Sequence, residues 1–381
     1  MIDRDEFAAW LRLLETPGVG RESARALLAR FGSPEAVAGA SLAALGAVVG
    51  TDAATALATP PAAFASRLDA AWRWLHGGAA ADAVSGAERD VISLGDPRYP
   101  AALLASADPP LLLYVHGRIE LLGKPAIAIV GSRNPTAQGL ENARAFAAHL
   151  SGAGWVVVSG LALGIDGAAH EGALEGGAGT IAVVGTGLDI AYPLRHRELT
   201  ARIAARGLVV SEFAIGTPAL PPHFPVRNRI IAGLSRGTLV VEAALRSGSL
   251  ITARLAADAG REVFAIPGSI HSPQARGCHA LLKQGAKLVE NAADIVDELG
   301  SPDGARATKR RAHDTAVDDA AATAKADPLL DTLGFDPIGI DELIARTGRS
   351  AADLSARLLD LELEGRVSRL PGHVFQRIER A

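Results

Sequence analysis

Three short segments carry residue types that could hold a phosphate-bearing ligand. The first is Gly131-Ser132-Arg133-Asn134-Pro135-Thr136, directly after an apolar run. A glycine at that point lets the backbone approach a ligand, and the following amides with a Ser hydroxyl can bind phosphate near a helix start. Arg133 adds a guanidinium suited to bidentate phosphate contact; the plainer reading is a tight turn with a solvated arginine. The second is Ser247-Gly248-Ser249, just after Arg246, another candidate anion-holding helix start with Ser249 as its cap. The third is Pro221-Pro222-His223-Phe224-Pro225-Val226-Arg227-Asn228-Arg229. An aromatic followed by two arginines and an amide offers the stacking surface and phosphate partners that a single nucleic-acid strand needs. The plainer reading there puts Phe224 in the core and the arginines on the surface.

Two further glycine-rich turns are weaker signals. Ser159-Gly160 opens a turn that runs to Asp166, with His170 four residues on. Asp166 and His170 stand one helical turn apart, but no third ligand or nucleophile supports a metal or catalytic reading. A capping Asp and a hydrogen-bonded His fit better. Gly185-Thr186-Gly187-Leu188-Asp189-Ile190 is a dinucleotide fingerprint whose third glycine is replaced by Ile190, so its amides could face a ligand but NAD is not expected. Gly117 to Gly123-Lys124-Pro125 fails as a phosphate-binding loop, both in spacing and in lacking Ser or Thr after the lysine. No His-Glu-x-x-His helix is present, and Cys278 has no pairing histidine. Glu242 is a lone carboxylate, suited to holding an arginine or loop amides. No catalytic residue, metal or cofactor is expected.

The elements that must position these turns are legible from periodicity. Ala126–Val130, Trp155–Val158, Thr180–Val184, Leu208–Val210, Thr238–Val241 and Val263–Ile266 are short apolar runs, each followed by a Gly- or Ser-rich turn and a helical stretch. Such alternation predicts a doubly wound, mainly parallel α/β sheet covered on both faces. Ligands in these sheets bind outside the carboxyl ends of the strands. Residues 1–80 read as short helices broken at Pro17-Gly18-Val19-Gly20, and 90–117 as a connector with strands at Val91–Leu94 and Leu111–Val115. The core is expected over 90–299, and the aperiodic 300–326 stretch as a flexible linker. Residues 327–381 read as a small terminal domain: helices Ile340–Thr347 and Ala351–Glu364, then Val367–Leu370, a Pro371-Gly372 turn and Val374–Ile378. Two helices followed by a hairpin resemble a winged helix.

Composition narrows the setting. A chain of 381 residues, 49% of them hydrophobic, suits two or three domains. Its net charge of −4 means that any polyanion site must come from locally gathered arginines. A single cysteine, an acidic N-terminus and the lack of an 18-residue apolar run lead to the expectation of an internal, cytoplasmic protein without a membrane span.

These motifs together resemble the DNA-processing protein family DprA, also called Smf. The resemblance covers about 95 to 299 and rests on Ile129-Val130-Gly131-Ser132-Arg133, Ser159-Gly160 to His170, Val184-Gly185-Thr186-Gly187, Phe224-Pro225 to Ser235, and Ser247-Gly248-Ser249, all in the family's order. It implies an extended Rossmann-like fold that dimerises, binds single-stranded DNA in a basic pocket and loads the recombinase RecA during natural transformation, with no catalytic activity. By position it makes Arg133 the pocket arginine and places Arg227 and Arg229 in the family's Phe-Pro-x-Arg-Asn-Arg segment. Gly131, Ser132, Ser159, Gly160, Gly185, Gly187, Phe224, Asn228 and Ser247 to Ser249 are the further expected DNA contacts. Many members carry basic residues around Pro218–His223 and an asparagine at His279, where this chain does not; Arg195 and Arg197 are candidate compensating cations. The Leu14 to Gly32 segment resembles a helix-hairpin-helix, and the terminal domain resembles the winged helix that many members carry. Its second helix sets Asp353, Asp360, Glu362 and Glu364 against Arg357 alone, a balance suited to protein contact rather than to a DNA groove. An alternative is a nucleotide-handling enzyme or sensor: Gly237 to Glu242 is similar to an element of Rossmann-like phosphoribohydrolases, with one residue too many before the glutamate.

Overall fold

The structure is a computed structural model that describes residues 2–77, 87–302, 327–335 and 337–378. The expected linker lies outside the described residues apart from its first three positions. Nine strands form one sheet: β1 (Glu88–Ser93), β2 (Leu112–Gly117), β3 (Ala126–Val130), β4 (Val156–Ser159), β5 (Thr180–Val183), β6 (Leu208–Ser211), β7 (Gly237–Val240), β8 (Glu262–Ala265) and β9 (Lys287–Leu288). Their order is β1-β2-β6-β5-β4-β3-β7-β8-β9, parallel from β6 to β9, with β1 and β2 antiparallel at one edge. The strand runs read from the sequence coincide with β3 to β8 within one or two residues.

Side-chain alternation explains why both faces are covered. Ala126, Ala128 and Val130 of β3 join one apolar cluster with Ile230, Ile231 and Leu234, while Ile127 and Ile129 join the opposite one with Phe146, Leu150 and Ala169. A strand buried on both faces needs apolar residues at every position, as these have. Helix Ile165–Gly176 lies so close on helix Ala137–Gly152 that a Cβ on Gly172 would stand 2.1 Å from the Arg144 carbonyl oxygen.

The first 76 residues form six short helices. Helix Arg4–Glu15 starts at Asp3, whose carboxylate accepts from the Asp5 and Glu6 amides, and Pro17 to Gly20 separates it from helix Arg21–Phe31. Their core of Phe7, Trp10, Leu11 and Leu27 continues into Val91, Leu112 and Tyr114, which alternate along β1 and β2 with residues facing the α/β core. The hairpin therefore serves two cores at once. An ion cluster adds to the seam: Asp108 lies 2.8 Å from Arg21, 2.6 Å from Arg25 and 3.2 Å from Arg229, and Arg229 also pairs with Glu212.

The terminal domain has a three-stranded sheet, β10 (Ile338–Gly339), β11 (Val367–Leu370) and β12 (Val374–Arg377), packed on helices Pro328–Leu333, Ile340–Thr347 and Ala351–Leu363 through Leu330, Leu343, Leu358 and Phe375. Three helices, the last two a consecutive pair, and a β11–β12 wing make this a winged helix. Among the described residues no helix is long and apolar enough to cross a membrane.

Candidate nucleic-acid interface

The chain winds outward from β3 through β4 and β5 to β6, then returns to lay β7 beside β3. The carboxyl ends of β3 and β7 are thus the switch point of the sheet, where following loops diverge and leave a crevice. A cavity of about 700 Å³ opens there, and Gly131, Ser132, Arg133, Phe224, Arg227, Asn228, Ser247, Gly248 and Ser249 all line it. Residues from three separate loops and helix starts, read individually in the sequence, meet in one place.

One wall is aromatic and cationic. The Arg133 guanidinium carbon lies 5.5 Å from the Phe224 ring centre, and the Tyr192 ring lies 5.4 Å from Phe224 with 33° between planes. Arg133 and Tyr192 are exposed and Phe224 half-buried, so the wall is open to solvent. Also in the lining, Arg246 is exposed beside Ser247 and Ser249, whose hydroxyl oxygens are 2.6 Å apart. The Ser249 amide donates to Ser247 Oγ and the Leu250 amide to the Ser247 carbonyl, so this helix start offers hydroxyls and dipole rather than open amides. Ser132 is likewise occupied: its hydroxyl donates to Gln274 Oε1 and accepts from the Asn134 amide, while Gln274 Nε2 donates to the Asn134 carbonyl. These bonds fix the loop that presents Arg133.

The expected direct contacts from Arg227 and Arg229 need correcting. Arg227 is 4% exposed; its guanidinium donates to the Gly160 and Val183 carbonyls and to Asn228 Oδ1. Burial lowers its pKa to about 10, with Asp166 opposing the shift, so it stays charged beneath the cavity floor. Gly160 is required by this packing, since a Cβ there would sit 2.3 Å from the Arg227 guanidinium. Arg229 points away from the cavity, into the cluster with Asp108 and Glu212.

Other expected contacts are also structural. The Ser159 hydroxyl is fully buried and donates to the Ile129 carbonyl. Gly185 and Gly187 are buried; the Gly187 amide donates to the Thr217 carbonyl, and Phe224 packs over Gly185. Arg195 is exposed three residues beyond Tyr192 but does not line the cavity. The sequence reading did not single out Tyr192, Arg246 or Gln274 as contacts. Each stands in a loop following a parallel strand, and no residue pattern beyond that position marks them.

Neighbouring ionisable groups serve the frame. Asp166 accepts from the Gly160 and Ala162 amides, and burial raises its pKa despite Arg227 nearby. His170 Nδ1 is 2.8 Å from Thr180 Oγ1, and burial pushes its pKa down to about 3. Glu242 accepts from the Thr136 amide and hydroxyl, bracing the start of helix Ala137–Gly152; burial raises its pKa. It lies outside the cavity lining, away from where a nucleotide-hydrolysing carboxylate would act.

The profile described as DNA recombination-mediator protein A matches residues 90–300, and the DprA winged helix domain profile matches 313–373. The chain is 42% identical over 289 residues to Protein Smf of Escherichia coli, covering 74% of this chain and 76% of that one. It is 48% identical over 207 residues to DNA processing protein DprA of Streptococcus pneumoniae, covering 54% and 73%. The crystal structure of the latter aligns with a TM-score of 0.62 at 38% identity, over 78% of this chain and 98% of that one. The Helicobacter pylori DNA processing protein A, described for its single-stranded DNA binding mode, aligns with a TM-score of 0.51 at 32% identity, over 56% and 97%. With the strand order, the switch-point cavity and the winged helix in place, these matches show that the chain belongs to the DNA recombination-mediator protein A family, that of DprA and Smf.

Proposed function

We propose that this protein binds single-stranded DNA in the switch-point cavity and, as a homodimer, hands the strand to the recombinase RecA. The observation that carries the reading is the Arg133–Phe224–Tyr192 wall, with Arg246 in the same cavity lining. Unpaired bases expose π faces that stack on such rings, and the flanking phosphates need cations that are not already neutralised. Arg133 and Arg246 make no ion pair among the described residues. They supply the phosphate contacts, with Arg195 at the approach; Phe224 and Tyr192 supply the stacking. The Ser247 and Ser249 hydroxyls offer polar contacts, while buried Asn228 accepts from Arg227 and donates to the Gly248 carbonyl. Arg227, Ser159, Gly160 and the Gly185–Gly187 turn hold the floor. The single-strand binding described for the H. pylori relative supports this reading, as does the mediator role in the family's name.

The test is anisotropy of labelled oligo-dT against a matched duplex across a salt series. Tight, salt-sensitive preference for the single strand is the expected outcome; absence of binding to either form at low salt sinks the proposal. RecA transfer is read separately, as faster filament nucleation on coated single strands.

A further inference from the structure

The second helix of a winged helix is the element that enters a DNA groove, where it must bring positive charge to the phosphates. Helix Ala351–Leu363 presents something else. Its Leu354, Leu358 and Leu361 are buried in the domain core. Ala352, Ala356, Leu359 and Leu363, spaced four, three and four residues apart, are all exposed with the rest of the chain in place. At about 100° per residue these four fall within roughly 60° of arc, opposite the buried side. That is a second apolar seam with the spacing by which helices pair. Leu359 and Leu363 are 56% and 81% exposed, and the domain meets the core elsewhere, through Phe335, Pro337 and Gln376.

The borders of the seam are acidic. Asp353 and Asp360 flank one edge and Glu362 the other. The helix's single cation, Arg357, is drawn back toward the domain: its Nε is 2.6 Å from Asp327, with Asp360 and Glu364 at 3.5 and 3.9 Å. An apolar stripe bordered by Asp353 and Glu362, which make no ion pair among the described residues, and by Asp360, which shares Arg357 with Asp327, is complementary to one kind of occupant. We propose that this face docks a basic amphipathic helix of a partner protein, leucine-like side chains seated between Ala356, Leu359 and Leu363, and lysines or arginines over Asp353, Asp360 and Glu362. A second copy of the same helix would set carboxylates against carboxylates, and duplex DNA or an anionic bilayer would be repelled.

The test uses the full chain and a labelled three-heptad synthetic helix with leucines at its a and d positions and lysine and arginine at its flanks. A twin peptide carries glutamates at the same flanks. The basic peptide is expected to bind in a salt-sensitive way, and the twin to fail. In a Leu359→Glu/Leu363→Glu variant binding should fall about tenfold or more, although the variant gains negative charge, while oligo-dT affinity stays unchanged. Because the substitutions raise the attraction for a cation, a loss isolates the apolar contact. Equal binding by the variant overturns the proposal, as does equal binding of the twin or no binding of the basic peptide at low salt. A lower sedimenting mass of the variant also overturns it, by showing that the seam pairs two copies.

Discussion

At the residue scale, side chains proposed to meet the strand and side chains that hold the frame should fail differently. Arg133→Ala should weaken oligo-dT binding and reduce the salt slope by about one, because one phosphate contact is lost. Phe224→Ala should cost about 1–3 kcal/mol of binding and leave the slope nearly unchanged, since stacking releases no counterion. Arg227→Met should act on stability first. It leaves the Gly160 and Val183 carbonyls without their buried donor, at about 1–3 kcal/mol each, and denaturant unfolding reads the loss directly. His170 gives a pH signature. Its pKa of about 3 lies below the ordinary histidine value, so between these limits the unfolded chain binds a proton that the folded chain does not. Stability should be fully present above pH 6.5 and decline as pH falls toward 3. The urea midpoint at pH 5 against pH 7 measures this, and the decline should be smaller in His170→Gln.

At the element scale, most of the fold was legible because strands β3 to β7 are buried on both faces and must be nearly unbroken apolar runs. The loops that build the cavity were legible for the same reason: the position of a strand's carboxyl end places the glycines and serines that follow it. Side-chain commitment was not legible. Phe-Pro-Val-Arg-Asn-Arg reads as one cationic segment, yet helical geometry sends Arg227 beneath the floor and Arg229 to another interface, because consecutive helix positions point in different directions. Tyr192 was hidden because its partner, Phe224, comes from the start of helix His223–Leu234, far along the chain. Close approach between elements carries its own prediction. Gly172→Ala would push a methyl into the Arg144 carbonyl and should cost about 1–3 kcal/mol in denaturant unfolding, while leaving the affinity of the folded fraction intact.

At the scale of the whole molecule, the winged helix contributes no residue to the cavity lining. Deleting residues 327–381 should therefore leave oligo-dT affinity almost unchanged, and anisotropy on the truncated chain checks this; a near-total loss would place the strand across both domains. The helical N-terminal unit stands differently. Helix His223–Leu234 brings Phe224 to the cavity near its start and Arg229, five residues on, to the Asp108 cluster that also engages Arg21 and Arg25. One helix thus carries a cavity ring at one station and a domain anchor at the next. Arg25→Ala removes one of the three arginines around Asp108, and a shifted oligo-dT affinity in that variant, read by anisotropy, is the sign that the anchor and the ring are coupled through the helix.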